Sequence, residues 1–94
     1  MRTIEWTTSF KRDYKRVKKG PYGRRLDEWL ASVVPVLARD EALAESFRDH
    51  ALSGEWSDYR DCHVKPDLVL VYRKSDKDTL QLVHLGSHHG LFGK

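Results

Sequence analysis

An α+β domain, built from a short strand, a two-helix hairpin and then an antiparallel sheet of three further strands (β-α-α-β-β-β), is predicted by a change of period along the chain. Apolar residues recur at helical spacing through Leu37, whereas from Trp56 onward they alternate with a period of two. The polar stretch Lys74-Ser75-Asp76-Lys77-Asp78 turns the chain between the last two strands. Helices followed by a run of strands imply helices packed on one face of an antiparallel sheet.

Each element has its own signal. Thr3 to Thr7 alternates weakly around Ile4 and Trp6 and reads as a strand. Thr8 or Ser9 then caps a helix whose apolar stripe is Phe10, Tyr14 and Val17, and Gly20-Pro21 stops it. In the second helix Leu26, Trp29, Leu30, Val33, Val34 and Leu37 form one broad apolar face. Pro35 removes a helical hydrogen bond and should kink or end that helix near Val34. Tyr59 to Lys65, Asp67 to Arg73 and Thr79 to Leu85 read as strands, and Leu68-Val69-Leu70-Val71-Tyr72, apolar on both faces, takes the central place.

Residues 1–94 form a single domain, with 39% hydrophobic residues sufficient for one modest core. The longest apolar run, Leu68 to Tyr72, falls far short of the roughly 20 residues that span a bilayer. The first residues contain no apolar stretch of the secretory kind. Cys62 is the only cysteine, which excludes internal disulfides and four-thiolate zinc sites. A soluble cytoplasmic protein without membrane contact is the expectation.

Charge is unevenly laid out. Residues 1–25 carry a net +7, residues 26–61 a net −6 and residues 62–94 a net +2. Lys11, Lys15, Lys18 and Lys19 fall on the outward side of the first helix, a basic face of the kind that attracts phosphate backbones and therefore a candidate contact with ribosomal RNA. A solvated, lysine-rich helix surface is the plainer reading.

Histidines carry the chemistry. His63 lies in Tyr59-Arg60-Asp61-Cys62-His63-Val64-Lys65-Pro66-Asp67, where strand alternation puts Tyr59, Asp61, His63 and Lys65 on one face. His84, His88 and His89 cluster at the end of the last strand and in a flexible tail after it, and His50 stands alone. RNA cleavage without a metal needs a base for the 2′-OH, an acid for the departing 5′-oxygen and a cation for the phosphate. Imidazole suits the first two roles, with a reference pKa of about 6.5. Each histidine also has a structural reading. His84 alternates with Leu80 and Leu82 and can be a buried structural residue; His63 can be a hydrogen-bonded surface group. No metal-ligand spacing supports a zinc site, and no cofactor motif is present.

Asp49-His50-Ala51-Leu52-Ser53-Gly54-Glu55-Trp56, then Tyr59 to Asp67, then Gly86-Ser87-His88-His89-Gly90-Leu91-Phe92 resemble, in order and spacing, the signature of YafQ-type mRNA interferase toxins of the RelE/ParE superfamily. The match covers residues 49–93; the N-terminal half agrees in length and helical pattern only. The resemblance implies the RelE-like microbial RNase fold, ribosome-dependent cleavage of translated mRNA in the A site, and neutralisation by a cognate antitoxin protein, with DNA bound only through the antitoxin complex. It implies His88 as the general acid; His50, His63 and Asp67 as the group that removes the 2′-proton and orients the phosphate; and Phe92 as a ring against the substrate nucleotide. Asp61 is implied to orient a histidine. Two departures stand out. Leu68 occupies a place where the family often has an aromatic residue. His84 occupies the place of a phosphate-binding arginine, so the cation is either His84 itself or Arg60, Arg73 or Lys65. Two other readings remain open at this level: a ParE-like toxin acting on DNA gyrase, and a non-catalytic RNA-binding module.

Overall fold

Thr7, rather than Thr8 or Ser9, starts the first helix: its Oγ1 accepts the Phe10 N–H at 3.1 Å. In the computed structural model, which describes residues 1–92, the strand β1 (Thr3–Trp6) leads through this cap into α1 (Thr8–Lys18) and, after a loop, into α2 (Leu26–Ala38). Gly23 makes that loop possible. A Cβ at Gly23 would sit 1.8 Å from the Lys18 carbonyl oxygen, so only glycine lets the chain double back so closely.

Of the kink or end expected near Val34, the end is corrected. The helix runs through Pro35 to Ala38. Val33, Val34, Leu37 and Ala38 are all buried in the core. Burial of about 1.5–3 kcal/mol for each large apolar side chain outweighs the roughly 3 kcal/mol that an internal proline costs.

Beyond α2 come two single-turn 3-10 segments, Glu45–Phe47 and Gly54–Trp56, which flank a two-residue strand β2 (His50–Ala51) that alternation did not predict. Then follow β3 (Arg60–Lys65), β4 (Leu68–Asp76), β5 (Thr79–Gly86) and a short helix α3 (His88–Phe92). The sheet order is β1-β5-β4-β3-β2, with β1 parallel to β5 and the other pairs antiparallel. β4, whose apolar run predicted a central position, is the central strand.

Both helices pack on one sheet face. Phe10, Leu26, Leu30, Val33 and Leu37 meet Cys62, Val64, Leu68, Leu70, Tyr72, Leu80, Leu82 and Leu85 there. Val69 and Val71 alternate with these, so they point to the other face, yet both are fully buried. That second face carries the candidate site. Among the described residues no helix is long and apolar enough to cross a membrane.

Candidate active site

Two irregularities in the ladder decide which side chains share the second face. Tyr72 pairs with Leu82 but Val71 pairs with His84, so Val83 is an extra residue that breaks the alternation. His84 is thereby carried to the side of Val71, opposite Leu82, and is partly exposed; it is not the buried partner of Leu80 and Leu82. A register shift between His63 and Lys65 does the reverse. It takes Lys65 off the face of Asp61 and His63, and the ammonium lies over the Trp29 ring of α2 at 4.7 Å. The grouping of Lys65 with Asp61 and His63 is therefore corrected, while Asp61 and His63 remain together.

Across the sheet, the register aligns His50 with Asp61, Asp61 with Val71 and Val71 with His84. Asp61 lies at the bottom of this row with 0% exposure. Neither of its carboxylate oxygens has a hydrogen-bond partner among the described residues. Burial raises its pKa above the ordinary carboxylate value, opposed by the positive potential of His50, His63 and His88, in that order. Three imidazoles from β2, β3 and α3 thus gather around one buried carboxylate.

Local bonds fix the rings. His50 Nδ1–H donates to the Arg48 carbonyl oxygen at 2.7 Å and stands 3.3 Å from Asp61 Oδ1. His63 Nδ1–H donates to the Pro66 carbonyl oxygen at 3.3 Å. A carbonyl only accepts, so each ring in its neutral form carries its proton on Nδ1 and leaves the Nε2 lone pair to act as a base. His88 lies in the first turn of α3, where Ser87 Oγ accepts the Gly90 N–H at 2.9 Å. The predicted flexible tail is therefore a capped turn of helix, and the serine ahead of it was the signal that alternation-based reading missed.

Aromatic rings close one end of the group. His88 and Phe92 have centroids 4.9 Å apart, Phe92 lies 6.0 Å from Trp56, and Trp56 lies 6.0 Å from His84. Trp56 is a site residue that charge and histidine patterns did not single out. Asp67 is exposed in the turn between β3 and β4, not in a strand, and lines a cleft of about 570 Å³ with Trp56, His84 and Ser87.

Arg60 does not join this group. It follows the helix-facing alternation of Cys62 and Val64, and its Nε–H donates to Asp49 Oδ1 and to the Tyr72 hydroxyl, both at 3.2 Å. Any contact of Arg60 with substrate would be made from that side of β3 and not from the face of His63 and His84. Lys11, Lys15 and Lys18 of α1 and Lys19 at its C-terminal cap are all exposed; Lys18 is paired with Asp27 at 2.8 Å, and no ion pair is made by Lys11, Lys15 or Lys19 among the described residues.

α1 contributes residues that sequence reading assigned to no role. β1 ends at Trp6, opposite Leu82, so the outer edge of β5 beyond that point has no strand partner. Asp13 Oδ2 accepts the Leu85 N–H at 3.1 Å and Arg16 donates to the Leu85 carbonyl oxygen at 3.0 Å, closing the edge. Asp13 Oδ2 also accepts from His84 Nδ1–H at 3.0 Å, and Asp13 Oδ1 from Arg16 at 2.8 Å. Burial works against the Asp13 charge, but bonds from Arg16, Leu85 and His84 together hold its carboxyl below the usual range.

The sequence and fold both have close counterparts. The family model described as "Bacterial toxin of type II toxin-antitoxin system, YafQ" matches residues 2–93. The mRNA interferase toxin YafQ of Escherichia coli is 33% identical over 92 residues, covering 98% of this chain and 97% of that protein. A putative toxin YafQ of Haemophilus influenzae is 32% identical over 88 residues, covering 90% and 86% of the two chains. Among solved structures, a copper-bound mutant toxin from Helicobacter pylori superposes with a TM-score of 0.90 at 39% identity, covering 98% of this chain and all of that one. YafQ in the Escherichia coli DinJ-YafQ complex superposes with a TM-score of 0.80 at 31% identity, covering 99% of this chain and all of that one. The Helicobacter pylori protein holds copper; in this chain no group of three His, Cys, Asp or Glu side chains is placed to hold a metal ion among the described residues. Motif order, register and superposition agree, and the chain belongs to the YafQ family of bacterial toxins of type II toxin-antitoxin systems.

Proposed function

We propose that this protein is an mRNA interferase: a ribosome-dependent endoribonuclease that cuts translated mRNA in the A site by attack of the 2′-oxygen. The observation that carries the reading is the row on the second sheet face in which His50 stands 3.3 Å from the buried Asp61, with His63 beside it on β3 and His88 against Phe92 on α3. A gyrase poison of the ParE type has no use for such a group, and a purely binding module has no need to bury a carboxylate beneath it.

In the proposed reaction the Nε2 lone pair of His50 or His63, or the carboxylate of Asp67 at the rim, takes the 2′-OH proton, and the imidazoles that remain orient the phosphate. The 2′-oxygen attacks phosphorus in line, and the bond from phosphorus to the 5′-oxygen breaks. His88 gives that oxygen a proton. A 2′,3′-cyclic phosphate and a 5′-hydroxyl result, and the base and acid exchange roles when water later opens the ring. Asp61 stabilises the imidazolium formed in either step, and Phe92 and Trp56 offer rings to an unstacked base. Every proton moves between imidazoles and oxygens, so the cycle needs no bound ion. Each acid or base contributes roughly 10²–10⁴-fold. A cognate antitoxin, the relation that the DinJ-YafQ complex has in Escherichia coli, holds the activity in check. The cytoplasm, where translated messages are, is the proposed compartment.

Induced expression of wild type and of His88→Ala, followed by primer extension on a translated message, tests this. New 5′ ends in the wild type alone are expected. Undiminished cutting by a variant lacking His50, His63 and His88 would overturn the reading.

A further inference from the structure

The site as described lacks a strong permanent cation for the phosphate. Arg60 is bound to Asp49 and Tyr72, Lys65 lies over Trp29, and Arg73 stacks on Tyr59 at 5.5 Å. One guanidinium does reach the cleft that Asp67 and His84 line, and it comes from α1: Arg16. Its side chain is 57% exposed even though it bonds both Asp13 and the Leu85 carbonyl. A guanidinium has more N–H donors than these bonds use. Asp13 holds Arg16 through one oxygen and His84 through the other, so one carboxylate sets both groups at the same wall. With its Nδ1–H on Asp13, His84 can donate to a phosphate only through the Nε2–H of its imidazolium form. Gly86 lines the same cleft. A Cβ there would meet the Arg16 guanidinium at 3.0 Å and Leu91 at 3.4 Å. Across the cleft stand Trp56 and Tyr22, rings of the kind that accept unstacked bases.

We propose that Arg16 and His84, both positioned by Asp13, form a phosphate-binding wall of a nucleotide subsite beside the scissile bond, with the base of that nucleotide against Trp56. This rests on the substrate being RNA. It assigns to a helix-α1 residue the cation that the last strand does not supply. Asp13 is a positioning residue here, and Arg16 is a substrate-binding one.

The test uses binding rather than cleavage, so it stands apart from the nuclease reading. The full chain is titrated with a 2′-O-methyl RNA tetranucleotide, which cannot be cut, and followed by amide and indole NMR signals at several salt concentrations. Signals of Trp56, Gly20, Gly86 and Ser87 are expected to move together. Arg16→Ala should weaken binding about tenfold, the effect of one charge-assisted contact, and flatten the log–log salt slope by about 0.7. Arg16→Lys should restore the slope but only part of the affinity, because a point charge replaces a fork. Arg16→Gln, which removes the charge but keeps a side chain able to donate to Asp13 or Leu85, should weaken binding severalfold and decides the matter should Arg16→Ala lose its native spectrum. Unchanged affinity and slope in Arg16→Ala or in Arg16→Gln, movement confined to signals outside the cleft, or no binding by the wild type would each overturn the subsite. Failure of His88→Ala to abolish cleavage would instead sink the acid assignment and leave the subsite standing.

Discussion

A carboxylate shielded from water, with no hydrogen-bond donor on either oxygen among the described residues, is costly to keep charged, and Asp61 is in that position. Its pKa is raised, so the folded protein holds the proton more tightly than the unfolded chain does. Its contribution to stability is therefore intact below the ordinary carboxylate pKa of about 3.9 and is lost as pH rises through the folded-state value. Asp61→Asn should raise stability at neutral pH by roughly 1–3 kcal/mol, with the gain vanishing in acid, while cleavage falls at least about tenfold because the imidazolium loses its anion. Thermal melts at neutral and acidic pH check this; a variant that melts lower at neutral pH would show that the carboxylate is satisfied after all. Asp13 has the opposite sign. Its lowered pKa means stability that is present above the ordinary carboxylate range and lost as pH falls through the folded value. Asp13→Ala, which strands the Leu85 N–H, should cost about 2 kcal/mol at neutral pH and little in strong acid. The histidines and Asp61 were legible because their residue types declare their chemistry. Asp13 and Arg16 were not: they meet His84 and Leu85 from 71 and 69 positions away, on a helix whose pattern reads only as one apolar stripe and a solvated face.

Periodicity located every long element, and what it missed has a physical cause in each case. The helices and β4 carry many apolar residues in register, so single exceptions do not hide them; Pro35 lies inside α2 because the buried face on both sides of it holds the helix together. β2 has two residues and α3 has five, too few for a period to show. Bulges defeat alternation outright. Counting by twos from Leu82 puts His84 in the core, and only the extra residue Val83 brings it to the second face. The loop between the helices was read as a stop signal at Gly20-Pro21, but its tightest constraint is Gly23. Gly23→Ala would force a Cβ into the Lys18 carbonyl, a backbone atom that cannot swing aside. A loss of about 2–4 kcal/mol is expected, in the range of overpacking and backbone strain, with chemical denaturation as the measurement. Because α1 carries Asp13 and Arg16, a displaced hairpin should also weaken substrate binding, whereas Gly20→Ala, whose Cβ meets nothing closer than 3.5 Å, should leave stability unchanged.

On the scale of the whole molecule, the charge layout becomes a geometry. The net +7 of residues 1–25 lies largely on α1, and α1 borders the cleft through Arg16. Lys11, Lys15 and Lys19 are exposed without ion-pair partners among the described residues, while Lys18 is tied to Asp27. A basic ridge therefore runs from solvent to the rim of the site, where it can hold an RNA backbone and lead the message toward the histidines. Reversing Lys11, Lys15 and Lys19 to Glu should weaken ribosome association steeply at low salt and progressively less as salt rises, since each phosphate contact releases counterions. Lys18→Glu should do less, because that ammonium already faces a carboxylate. Sedimentation with ribosomes across a salt series separates the two variants. A loss in log affinity from Lys18→Glu as large as one third of the triple variant's would mean that the ridge acts only through its total charge, and undiminished binding by the triple variant would mean that the ribosome meets another face. The triple variant should still bind the short RNA in the cleft, because Arg16 and the histidines remain. Loss of ribosome binding with the cleft intact would then separate delivery of the message from its cleavage.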